Sequence, residues 1–198
     1  MKRLIYSSVL IAVSILLTAG PGHAQRAKTL VGVTGGATTS DICCSINTSS
    51  RWGGTAGLFA AFRASRQTVI SLEGNWAQKG GDPVRLDYVE FPLTFGASMP
   101  TGNGDWRIRA YTGIGIGFKI GCSESNSNST FFDCDNANST EWTWPFGIVF
   151  SHINPNGSMF GFDVRYSYGL SNTFDNLSSS RNRTWYFRLV YGLPMGRG

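Results

Sequence analysis

Residues 106–119 read WRIRAYTGIGIGFK, and taken alternately they separate into two unlike sets. One beat is Trp106, Ile108, Ala110, Thr112, Ile114, Ile116 and Phe118; the other is Arg107, Arg109, Tyr111, Gly113, Gly115, Gly117 and Lys119. Successive side chains of a strand point to opposite faces, so this segment has one apolar face and one charged, glycine-lined face. A soluble barrel or sandwich encloses its apolar face. Here the face with room for long charged side chains is the glycine-lined one, and the apolar beat is left for the outside. That is the pattern of a strand crossing lipid.

The alternation restarts along the chain. Together with turn chemistry it predicts strands near 28–38, 52–63, 68–78, 85–98, 106–120, 140–152, 158–170 and 183–193. The connectors after the second, fourth and sixth strands are tight: 64–67, 99–105 and 153–157. Those after the first, third, fifth and seventh are mostly longer and rich in Ser, Asn and Thr, the longest being 121–139. This asymmetry predicts an all-β fold, an eight-stranded antiparallel up-and-down transmembrane barrel, polar inside and apolar outside. It also places both termini on the periplasmic side of a bacterial outer membrane. The outward aromatics sort to the strand ends as two interface rings, Trp52, Trp76, Trp142, Tyr168 and Trp185 toward the loops, Trp106 and Tyr191 with several phenylalanines toward the turns.

The first residues support the same compartment. Lys2 and Arg3 precede the apolar run Leu4 to Leu17, followed by Gly22, His23 and Ala24 with small residues where a signal peptidase acts. The expected organisation is a secretory signal over 1–24 and one barrel domain over 25–198. Formal charge is +5 for the whole chain, and +3 once Lys2 and Arg3 are set aside, with 15 basic against 12 acidic residues. These charges are scattered with no phosphate-tracking block, which argues against a nucleic-acid partner.

Three segments carry a resemblance. LDYVEFPLTFGA at 86–97, NWAQKG at 75–80 and FDVRYSYGLSN at 162–172 are similar to recurring strands of the PorT-like outer-membrane β-barrel family. The resemblance spans nearly all of the mature chain and implies an eight-stranded barrel in the outer membrane. It assigns no activity.

Inside such a barrel the inward beat collects Glu73, Glu90, Arg107, Arg109, Lys119, Glu141, Asp163, Arg165 and Arg188. An eight-stranded barrel is only wide enough for side chains to fill, so these charges are expected to pair as a polar plug that fixes register. A proton or small-ion path is the competing reading. Gly113, Gly115 and Gly117 are expected to leave room for long arginines from facing strands.

Cys43, Cys44, Cys122 and Cys134 are placed by the predicted strands in two loops on one side, and an even set in a secreted chain reads as disulfides. Neighbouring Cα atoms sit about 3.8 Å apart across a trans peptide, short of the usual disulfide span of about 4.4–6.8 Å. Cross-loop pairs therefore rank above Cys43–Cys44 with Cys122–Cys134. No histidine accompanies these cysteines, so no metal site and no cofactor are expected. A lipid-modifying enzyme needs a serine with a histidine base near the outer leaflet. His152, near Ser151 and Ser158, sits instead by a predicted turn. The expectation is a monomeric, non-catalytic barrel, structural or presenting loops for binding or adhesion. Its partners would be membrane lipids, the outer-membrane assembly machinery and an unidentified surface ligand. A lipid-modifying enzyme and a narrow channel are the alternatives.

Overall fold

The computed structural model describes residues 29–44, 48–102, 105–124, 134–174 and 179–195; the predicted signal over 1–24 lies outside them. Eight strands follow in order: β1 (Thr29–Cys44), β2 (Arg51–Arg63), β3 (Thr68–Gly81), β4 (Val84–Thr101), β5 (Trp106–Glu124), β6 (Thr140–Ile153), β7 (Met159–Gly169) and β8 (Ser180–Met195). Each pairs antiparallel with its neighbours in sequence, and β8 pairs with β1 to close the barrel. Thr29 lies opposite Met195, so both ends of the described chain meet at the turn end.

The outward beat is exposed where a water-soluble protein would bury it. Leu58 is 66% exposed, Leu72 55% and Leu189 56%, while inward Arg188 and Asp163 are each 1% exposed. Soluble monomers do not present a continuous apolar belt of this kind, and the fully enclosed polar face completes the inversion. The six interface aromatics Trp52, Trp76, Trp106, Trp142, Trp185 and Tyr191 all lie on the outer face. The Tyr166 and Trp185 rings pack at a tilt with centroids 4.9 Å apart, and Trp106 packs on His152 at 5.0 Å.

The strands run further at the loop end than the sequence pattern predicts. β1 continues to Cys44, β3 to Gly81 and β5 to Glu124, and β8 begins at Ser180. A membrane-crossing strand needs only about 9–11 residues, so a β5 of 19 residues projects past the bilayer. In this projecting part the polarity reverses. The inward residues Ile42, Val84, Leu86 and Tyr88 form an apolar cluster with Ala137 and Phe174. The outward residues are charged, with Arg183 Nε 2.7 Å from Asp41 Oδ1 and Arg85 Nε 3.2 Å from Asp87 Oδ1. Above the lipid, water lies outside, and the barrel becomes an ordinary soluble one with its apolar face enclosed.

A register shift between Asp87 and Tyr88 of β4 sets one extra β5 residue, Ile120, on the outer face. Beyond this bulge the alternation of β5 changes phase. Cys122 thereby packs against the apolar cluster under the loops. The connector after β3, expected among the longer ones, is the two-residue turn Asp82-Pro83.

This reversal makes a test. Leu86→Ala, in the projecting core, is expected to destabilise the barrel by ~2–5 kcal/mol, because it opens a cavity that water-excluding neighbours cannot fill. Leu93→Ala on the lipid belt should cost markedly less, since lipid chains close over the gap. Urea unfolding in lipid vesicles ranks the two, and equal losses would contradict the assigned boundary.

Candidate functional site

The lumen is the chemically distinctive part of the described structure, and its buried ion pairs fall into two clusters. The first is a closed ring of five side chains from four strands. Arg188 of β8 places Nη1 3.0 Å from Glu73 Oε2 of β3, and its Nε donates to Asp163 Oδ2 of β7 at 2.9 Å. Arg165 of β7 donates from Nη2 to the other Glu73 oxygen at 2.5 Å and from Nε to the Tyr111 hydroxyl of β5 at 2.8 Å. Tyr111 in turn donates to Asp163 Oδ1 at 2.7 Å, closing the circuit. Asn75 Nδ2 adds a bond to Glu73 at 3.0 Å. Two carboxylates face two guanidinium groups, so the ring is neutral and each oxygen has a donor. Buried ion pairs of this kind hold only when the remaining lone pairs are also satisfied.

The second cluster lies toward the loops. Lys79 Nζ of β3 sits between Glu90 of β4, which it contacts directly, and Glu141 Oε2 of β6 at 2.8 Å. Tyr186 of β8 donates its hydroxyl to Glu90 Oε2 at 2.8 Å. The same Tyr186 ring lies beneath the Arg188 and Arg165 guanidinium carbons, 5.8 and 6.0 Å from its centroid. It therefore joins the two clusters, through its face to one and its hydroxyl to the other. Over both lies the apolar cap of Leu86, Ile42 and Phe174.

Of the nine charges expected in the lumen, the structure brings together Glu73, Glu90, Glu141, Asp163, Arg165 and Arg188. The other three are placed differently. Arg109 lies below the ring, donating to Ser71 Oγ at 2.8 Å with its guanidinium over Tyr111. Arg107 lines the mouth at the turn end. Lys119 reaches up from the bulge of β5 to the carbonyls of Cys134 and Ala137, at 3.1 and 2.5 Å, and holds the loop above the barrel. Lys79 belongs to the network although the sequence reading omitted it. It stands one residue beyond the predicted end of the third strand, on the same beat as Glu73, Asn75 and Ala77. The space beside the β5 glycines is not taken by arginines. A Cβ at Gly117 would meet Tyr88 and Glu90, and one at Gly115 the Thr143 hydroxyl.

The cysteine expectation also changes. Cys43, Cys44 and Cys122 lie in strands, and only Cys134 is in a loop, on a short 3-10 turn. The bonds are Cys43–Cys44 and Cys122–Cys134, not cross-loop pairs. The reason is topological: β1 and β5 stand opposite each other in a ring of eight, while the short turn at Cys134–Asn136 sits against β5, bonded to Lys119 and Glu124. Mass mapping of unreduced protein is expected to find Cys122 joined to Cys134 and no peptide linking 43–44 to either.

Neither serine near His152 bonds to it. Ser151 Oγ donates to the Arg107 carbonyl and Ser158 Oγ to Asn156 Oδ1, while the imidazole lies against Trp106 on the outer face. At the turn end the lumen widens into a cavity of about 550 Å³ bordered by Arg63, Arg107, Arg109 and Asp105. Ala61, which packs with Phe59 and Val190 in a small apolar cluster, also borders it.

Compared with known families, residues 23–175 match the outer membrane protein beta-barrel domain. No curated protein matches the chain. Among solved structures, Neisserial surface protein A is 12% identical, over 84% of this chain and 98% of that one, with a TM-score of 0.56. OprG from Pseudomonas aeruginosa is 14% identical, over 86% and 97%, with a TM-score of 0.52. The attachment invasion locus protein Ail of Yersinia pestis is 14% identical, over 84% and 99%, with a TM-score of 0.45. At these identities the likeness is one of fold alone.

Proposed function

This chain belongs to the outer membrane protein beta-barrel domain family, and from that premise we propose that it is a non-catalytic, non-conducting barrel of the bacterial outer membrane whose projecting strands present loops for binding. The observation that carries the reading is the filling of the lumen. Arg188, Tyr186, Lys79, Glu141 and Tyr88 reach in from four strands, and each is at most 1% exposed. A water-filled path would wet at least one of them. The plug also gives the fold a register lock, because each charge has its partner only when every strand is correctly placed.

The turn end then faces the periplasm with both chain ends, and the finer kinship is with the PorT-like barrels. Lipids contact the outer belt, the assembly machinery inserts the chain, and the barrel works as a monomer. The channel reading is opposed by the paired charges. The enzyme reading is opposed by His152, which is engaged with Trp106 and lies at the turn end, away from the loops. What favours surface display is the effort spent on the loop end: four strands prolonged past the lipid, a separate apolar core and two disulfides.

Refolded mature protein tests this directly. Planar-bilayer recordings are expected to show no steady conductance, and incubation with lipopolysaccharide or phospholipid no release of fatty acid. Sustained single-channel steps would replace the plug with a pathway. Catalysed acyl release that disappears in a His152→Ala variant would replace the display reading with an enzyme.

A further inference from the structure

We propose that the cavity at the turn end is a binding site for a small phosphate-bearing molecule, held by Arg63, Arg107 and Arg109. The two arginines of the lumen ring and two on the outer face set the comparison. Arg165 and Arg188 each contact carboxylates in the ring, and Arg85 and Arg183 each have one on the outer face. Arg63, Arg107 and Arg109 have no carboxylate oxygen within 4.0 Å among the described residues, although all three border the same cavity.

Their geometry is that of a prepared anion site. Arg109 is anchored by Ser71, its guanidinium carbon lies 5.3 Å from the Tyr111 ring centroid, and its Nε is buried with no partner among the described residues. Arg63 and Arg107, from β2 and β5, both border this cavity with Arg109. Like charges gathered in a partly enclosed mouth are unfavourable unless an anion joins them. Three guanidinium groups match the several oxygens of a phosphate, each through paired N–H donors. Among the described residues Asp105 is the single acidic one on the cavity wall, so the local balance there remains positive.

The rest of the wall defines the other half of the ligand. Leu30, Val69, Val149 and Met159 supply apolar surface, and Ser98 and Asn154 supply neutral polar groups. A volume of about 550 Å³ is within the range of small-molecule sites. The ligand class is therefore a phosphate ester with a short, partly apolar body. Two sources share that chemistry: a soluble phosphate ester, or the headgroup and first methylenes of a phospholipid from the adjoining leaflet.

The test uses full mature protein refolded in dodecyl maltoside, which carries no phosphate. Calorimetric titrations are run with glycerol 3-phosphate, with dihexanoyl phosphatidylglycerol and with inorganic sulfate. Arg63→Gln/Arg107→Gln is the test variant, because neither guanidinium bonds another side chain among the described residues; heat-modifiable gel mobility checks that it folds. Saturable binding of at least one phosphate ester is expected, weakened about tenfold or more in the variant and reduced by added salt. Binding of glycerol 3-phosphate assigns a soluble ligand, and binding of dihexanoyl phosphatidylglycerol alone assigns a lipid headgroup. No saturable binding of either ester, or binding unchanged in the folded variant, overturns the proposal. So does sulfate bound as tightly as both esters, which would mean that the apolar wall contributes nothing.

Discussion

Replacing Arg188 with alanine is expected to lower the unfolding free energy by ~3–5 kcal/mol, because it leaves two buried carboxylates without their shared cation. Arg188 is the hinge of the ring: it contacts Glu73 of β3 and Asp163 of β7, neither of which neighbours the other in the sheet. Without it Arg165 must serve Glu73 alone, and Asp163 keeps only the Tyr111 hydroxyl as a close donor. Arg188→Lys should recover part of the loss. A point-like ammonium restores the charge but cannot reach two carboxylates through separate N–H edges as a planar guanidinium does. Urea unfolding in lipid vesicles, followed by tryptophan fluorescence, reads the difference. An Arg188→Ala barrel as stable as the wild type would mean that the ring carries no structural load, and an accompanying rise in conductance would point to an ion path.

What could be read from the amino-acid order is bounded by where lipid touches the barrel. Between Ile108 and Phe118 the outward beat meets hydrocarbon while the inward beat is Arg109, Tyr111 and glycines, so the contrast is strong and its phase unambiguous. Above the belt the contrast is turned over. Ile42 and Leu86 point inward while Asp41 and Asp87 point outward, so a search for one polarity ends each strand too early. Three misplacements share this origin. Lys79 falls just outside a strand that truly continues, Cys43 and Cys44 read as loop, and Cys122 reads as loop because the bulge at Ile120 shifts the phase just where the polarity turns. Partner choice is a different matter. Alternation says that Glu73 and Arg188 face inward, but which charges meet depends on barrel shear, and that is set by all eight pairings together. The cavity arginines show the same limit: Arg107 and Arg109 carry the same inward signature as Arg165, and only height along the barrel separates a paired charge from an unpaired one.

Lys79 supplies the sharper test of what the buried charges do, because its cluster holds one cation against two carboxylates. Lys79→Met keeps the volume and removes the charge, leaving Glu90 with the Tyr186 hydroxyl and Glu141 with no ammonium at all. A loss of ~3–5 kcal/mol is expected, since the orphaned charges remain enclosed. The triple variant Lys79→Met/Glu90→Gln/Glu141→Gln removes every formal charge from the cluster, and it should regain most of that stability. Amides still accept the Tyr186 hydroxyl bond, and no ion needs to be held away from water. If the triple variant recovers, the single loss was the burden of unpaired charge, and the network specifies register without adding much net stability. If it remains as weak as Lys79→Met in the same vesicle unfolding assay, the ammonium–carboxylate contacts themselves hold β3, β4 and β6 together across the lumen. The two outcomes assign opposite energetic roles to one geometry, and both differ from the ion-path reading, in which the variants would unfold like the wild type and change conductance instead.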